Sequence, residues 1–192
     1  LAKDTKDSFV VASRLALYLW DSVPNMNMHD LVDQGQFVKE SQIENQAKQM
    51  TMDPRAQAKF HDFLLHWLEM NAKELPTKST QKYPDFSSFL ALDLRRSLFR
   101  TIEKIVWEKK GHFEDFLRME NFESNRAIAE YYGMQFPKEK KATDFVTFHS
   151  SKIKRQGLHT HPYLLASHSY AEESSPIHRG VFVSRKILGR TL

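Results

Sequence analysis

Between Asp85 and Lys109 apolar residues recur at helical spacing on two adjoining faces: Leu90, Leu94, Leu98 and Ile105 along one, Phe99, Ile102 and Val106 along the next. A helix with one apolar stripe can rest on a surface, but a helix with two must have a neighbour on each side. The segment therefore predicts the central member of a bundle, stopped by Gly111. With only 6 Gly and 7 Pro in 192 residues the chain is poor in the tight turns of a β-sandwich. Its 41% of apolar residues is enough to fill a core.

The neighbours follow from caps and breakers. A first helix is predicted from about Asp7 to Trp20, with Asp7 or Ser8 as its cap. A short one follows from about Met28 to Gly35, and another is capped by Ser41 with Ile43, Ala47 and Met50 inward. Asp53 and Pro54 start a helix whose Phe60, Phe63, Leu64, Trp67 and Leu68 form one stripe. Leu75 to Pro84 reads as loop, Phe113 to Leu117 as a short helical turn, and Asn125 as the cap of a helix ending at Gly133. The fold class expected is mainly α, about seven helices in an irregular bundle. Between Val10 and Trp20 only Ser13 and Arg14 are strongly polar, which predicts an enclosed first helix and Arg14 as a buried structural charge held by carboxylates or carbonyls.

Pro137 to Thr143 joins a proline to a charged run and marks the expected boundary. The organisation predicted is a helical domain over 1–136, a charged linker over 137–143, and a loop-rich His and Ser-Pro segment with a terminal helix over 144–192. That last piece is too small to hold a core alone and must pack on the helices. Within it Phe145 to His149 is the one candidate strand, and Ser174 or Ser175 before Pro176 opens a helix ending at Gly189.

Several function classes fall away. Zero cysteines exclude disulfides, thiolate metal sites and haem attachment through C-x-x-C-H within these residues. The net charge of +4 is spread along the chain, and Lys138 to Lys141 reads as a solvated linker, so no nucleic-acid partner is expected. No apolar run approaches eighteen residues, so no membrane span is expected, and a first residue of Leu suggests a processed or incomplete N-terminus. Oligomeric state stays open.

Four of the nine histidines, His159, His161, His168 and His178, crowd the segment from Gly157 to Gly180. On an extended chain His159 and His161 share a side, and His168 or His178 can approach them, so a first-row metal or haem-iron environment is one reading. No carboxylate lies among the first three and no helical His-x-x-x-His occurs, so hydrogen bonding is preferred and no metal is assigned. His61 and His66, five apart, do not share a helix face. Ser167, Ser169, Ser174 and Ser175 lack a G-x-S-x-G elbow and read as caps, while Glu172-Glu173 reads as a solvated pair. The candidate binding set is His161, His168, Ser175, His178, Arg179 and Gly180, with Arg179 a forked donor and the Ser175-Pro176 helix start an attraction for anions. No catalytic residue is assigned.

Three runs in this segment carry a resemblance: Gly-Leu-x-Thr-x-Pro at Gly157 to Pro162, Ala-x-His-Ser at Ala166 to Ser169, and Ser-Pro-x-x-Arg-Gly at Ser175 to Gly180. Upstream, Arg14 to Pro24, Met50 to Arg55, Phe63 to Leu68 and Asn125 to Gly133 add further motifs in order. Together, from about Phe9 to Leu188, the chain resembles exported proteins of planctomycetes and related bacteria in which domain of unknown function 1592 is followed by the start of domain of unknown function 1588, usually beside a c-type cytochrome module. Asn25 and Arg100 depart from the usual aspartate and glutamate, and the chain stops at Leu192, before the proline run and haem-attachment segment of relatives.

The resemblance implies a periplasmic or extracellular location and a c-type cytochrome domain or protein as partner. It puts any c-type haem on a missing C-terminal segment or on that partner, with no cofactor within this chain. A scaffold or docking module for electron transfer is the reading it favours. The alternatives are a haem-assisted oxidoreductase with residues 159–179 lining its site, and an interaction module of a surface assembly.

Overall fold

A computed structural model describes residues 8–70, 74–108, 111–149 and 155–191. The chain divides into two compact units, Leu1–Leu64 and Leu65–Leu192. The first holds α1 (Ser8–Trp20), α2 (Met26–Asp33), α3 (Glu40–Met50) and most of α4 (Pro54–Trp67). The second holds α5 (Ser88–Glu103), α6 (Phe113–Arg118), β1 (Asn121–Ser124), α7 (Arg126–Tyr131), β2 (Val146–His149), α8 (Pro162–Ser167) and α9 (Pro176–Phe182). The architecture is mainly α, as the periodicity predicts. Asp7, proposed as a cap, and Lys109, the expected end of the long helix, lie outside the described residues.

In the first unit Ala12, Ala16 and Trp20, at i, i+4 and i+8 of α1, bury against Met28, Val32, Phe37 and Met50. Trp20 Nε1 donates to the Met50 carbonyl at 3.0 Å, and the Arg55 guanidinium lies 3.5 Å over the indole. Asn25, the departure from the usual aspartate, still caps α2: its Oδ1 accepts from Met28 N–H at 3.0 Å. Asn and Asp are equivalent in that role. The buried stripe of α1 is narrow, because two alanines let the helices approach closely. Val10, Leu17 and Tyr18 are left exposed, and so is Arg14. The expectation of a buried Arg14 is therefore corrected: a helix rich in apolar residues is not enclosed when its buried face is made of alanine.

In the second unit α5 is the centre, as expected. Leu90, Ala91, Leu94, Ser97, Leu98, Thr101 and Ile102 are all buried along it, and β1, α7 and α8 pack around it. It starts one turn later than the sequence suggests, with the Ser87 hydroxyl accepting from Leu90 N–H at 3.1 Å. It continues into a π-helical turn, Lys104–Glu108. Asn125 caps α7 as read, through Ile128 N–H at 3.1 Å. Ser41 lies inside α3 and not at its cap: that helix starts after Lys39, whose N–H is taken by the Gln42 side chain at 2.9 Å.

The chain after Lys141 folds back onto this unit. β2 pairs antiparallel with β1 in the register Asn121↔His149 to Ser124↔Val146, and Arg100 lies 5.0 Å over the Phe145 ring. The run 137–143, expected as a linker between domains, lies inside the second unit, and the division into compact units falls within α4. The expected loop-rich stretch is also more regular than its prolines suggest. Leu158–Thr160 is a 3-10 turn, and α8 follows with His161 as its cap and Pro162 in its first turn.

Candidate functional site

Two arrangements emerge around the candidate residues, one closed and one open. The closed one is built on His161, which is 2% exposed where α8 begins. Its Nδ1 accepts from Tyr163 N–H at 3.2 Å, so the ring proton must sit on Nε2, which faces Ser97 Oγ at 3.2 Å. Ser97 in turn donates to the Glu123 carbonyl. Thr101 Oγ1 continues the network, donating to the Ser97 carbonyl at 2.7 Å and accepting from Glu123 N–H at 2.9 Å. At its edge Glu123 Oε1 accepts from Lys104 Nζ at 3.0 Å and from Thr147 Oγ1 at 2.7 Å, tying α5, β1 and β2 together.

A serine hydrogen-bonded to a histidine suggests nucleophilic catalysis, but the direction of every bond is wrong for it. A general base needs Nε2 as acceptor from the serine and an N–H on Nδ1 held by a carboxylate. Here Nε2 donates, Nδ1 accepts from the backbone, and the serine proton is spent on a carbonyl. Burial, aided by the positive charge of Arg155, lowers the His161 pKa to about 3, so the ring stays neutral. Its edge meets the Phe122 ring at 6.1 Å. His161 is a structural pin joining α8 to α5 and β1.

The open arrangement is a groove of about 490 Å³ lined by His159, Leu164, His168, Arg179, Gly180 and Phe182 among others. Most of its wall is apolar. The His168 ring stacks on Phe182 with centroids 4.4 Å apart, and its Nε2 is buried with no hydrogen-bond partner. Burial lowers the His168 pKa, opposed by the Leu68 carbonyl and by Glu69, while His178 adds to the lowering. The carbonyl of Leu68 can only accept, so it favours a protonated ring nitrogen. Arg179 is half-buried, and among the described residues its guanidinium has neither an ion pair nor a hydrogen bond. Only its Nε is shielded from water, and a buried N–H without an acceptor is costly to a fold.

The other candidates divide between structure and surface. Ser175 is 2% exposed and its Oγ accepts from His178 N–H at 3.3 Å, which spends it as the cap of α9. His178 is exposed and leans on Tyr170 with centroids 5.2 Å apart. A Cβ built on Gly180 would meet nothing within 4 Å, so no neighbour within the chain requires a glycine there. His161, His168 and His178 thus do not converge: the first is a pin, the second lines the groove, the third is outside it. Among the described residues no group of three His, Cys, Asp or Glu side chains is placed to hold a metal ion.

Sequence reasoning missed Ser97 and Lys78. Lys78 Nζ donates to the carbonyls of Ala166, Ser169 and Tyr170 and to Ser169 Oγ, at 2.8 to 3.3 Å, and so holds the turn between α8 and α9. Ser79 N–H adds a bond to the Ala171 carbonyl at 2.9 Å. Neither Ser97 nor Lys78 stands in a motif, and the partners of their side chains lie 26 to 92 positions away.

The c-type haem implied by the resemblance does not fit these residues as an attached group, because the chain contains no thiol to bind its vinyl carbons. No helix among the described residues is long and apolar enough to cross a membrane. No curated protein and no solved structure matches the chain significantly. Family profiles do match. Residues 155–192, which contain the groove, match PSCyt3, described as a protein of unknown function (DUF1588), one of a set of domains named for association with cytochrome c. Residues 7–134, well over half of the chain, match PSD4, also a protein of unknown function (DUF1592). The two matches stand in the order the motifs predict, and the chain belongs to the DUF1592 family, followed by a DUF1588 segment.

Proposed function

We propose that this chain is a docking module for a c-type haem domain in periplasmic electron transfer, with the groove between α8 and α9 as the contact. The observation that carries the reading is Arg179, a half-buried guanidinium without an acceptor at an apolar groove. An acidic group of the partner supplies that acceptor, and the apolar wall takes the surface around it. Desolvated charge pairs of this kind set orientation and lifetime in protein complexes. The reversed polarity of the Ser97–His161 pair supports binding over hydrolysis.

The test is a calorimetric titration of the chain with a c-type haem domain, comparing wild type, Arg179→Gln and His168→Gln. Loss of the guanidinium should weaken binding at least tenfold, in the range expected for truncating one partner of a buried pair. Unchanged affinity in both variants would remove the docking role and leave both residues as internal packing.

A further inference from the structure

We infer that the groove between α8 and α9 is itself a binding site for a small monocarboxylic acid with an apolar body, seated with its carboxylate on Arg179 and its chain against Leu164, Phe182 and Val183. The inference rests on the docking reading only in sharing the groove, and it names the chemistry that the groove selects without a partner protein. Three observations support it. The volume of about 490 Å³ lies in the range of small-molecule sites. The wall is apolar apart from a few polar groups, of which Arg179 alone carries a fixed charge. That charge has no acceptor among the described residues, so a ligand carboxylate gains a charge-assisted, bidentate bond without displacing an existing one.

His168 couples the site to protons. Its ring lines the groove and its Nε2 is buried without a hydrogen-bond partner, so a carboxylate bound beside the ring favours the imidazolium form and binding takes up a proton. The charged and titratable groups around the ring are Glu69, paired with Lys186 at 3.0 Å, together with His178 from α9, His159 from the opposite wall, and Arg179. Only His168 combines contact with Phe182 at the groove floor and an unpartnered ring nitrogen.

Hexanoate is the probe, with hexanol and a hexapeptide bearing a C-terminal carboxylate as comparisons, each titrated into isotopically labelled chain and followed by amide shifts. Hexanoate should bind at least tenfold tighter than hexanol and shift Thr160, His168, Gly180 and Val183. Arg179→Gln should remove that preference and leave hexanol binding as it was. Lowering the pH from 7.5 to 5.5 should tighten hexanoate binding in the wild type and not in His168→Gln. Hexanoate binding no tighter than hexanol, binding insensitive to Arg179→Gln, or binding of the peptide alone overturns the inference. Failure here with an Arg179-dependent titration of the haem domain leaves docking standing. The reverse pattern leaves the acid site and removes docking.

Discussion

Acidifying the protein should unfold its second unit through one residue, His161. In the folded state its pKa is held near 3, mainly by burial, against 6.5 for a free imidazole. The folded form therefore binds fewer protons than the unfolded form everywhere between these values. The stability that goes with a neutral ring is complete above pH 6.5, is lost as pH falls through that value, and stops falling near pH 3. Each unit in that window costs about 1.4 kcal/mol, so pH 4.5 costs about 2.7 kcal/mol, a large share of a domain's stability. The assay is urea unfolding from pH 7.5 to 4.5, read by hydrogen exchange at Leu98 and Ile128, for wild type and His161→Asn. Asparagine can still cap α8 and cannot titrate. The variant starts lower, but the gap between the two proteins should close by about 1.4 kcal/mol per unit below pH 6.5. A constant gap, or a His161 ring that titrates near 6.5 in the folded protein, refutes the reasoning.

Three further outcomes follow from the same geometry. Ser97→Ala leaves the His161 Nε2–H without an acceptor and should cost about 1–3 kcal/mol in urea unfolding. Gly157→Ala puts a Cβ 2.5 Å from the Leu117 carbonyl at a φ of +78° and should cost about 2 kcal/mol or more in the same measurement, with Gly157→Asn no better because the clash remains. Arg14→Ala, in contrast, should change stability by no more than about 0.5 kcal/mol, since Arg14 is exposed.

What could be read from the sequence was what neighbours in the chain determine. The Leu64 and Leu68 part of the α4 stripe, the two faces of α5, the Asn125 cap and the helix start before Pro176 all rest on residues within a turn or two of each other, whereas Phe63, expected in the same stripe, is exposed. β1 was hidden because Asn121 to Ser124 has no alternation of its own and becomes a strand only by pairing with β2. α8 was hidden because a histidine cap followed by a proline reads as loop until the ring is seen to accept from Tyr163 N–H. Arg14 was misjudged because apolar composition does not say which face is buried, and in α1 that face is formed by Ala12, Ala16 and Trp20. Of the candidate site, His168, Arg179 and Gly180 share the groove, whereas His161 and Ser175 are used by the fold.

The most direct test of the proposed docking at the α8–α9 groove is an amide shift map of the labelled chain with a c-type haem domain added in excess. The account predicts shifts concentrated in residues 159–168 and 176–183, and their loss in Arg179→Gln. Shifts confined to α1 and α2, or a map unchanged by the haem domain, would contradict it.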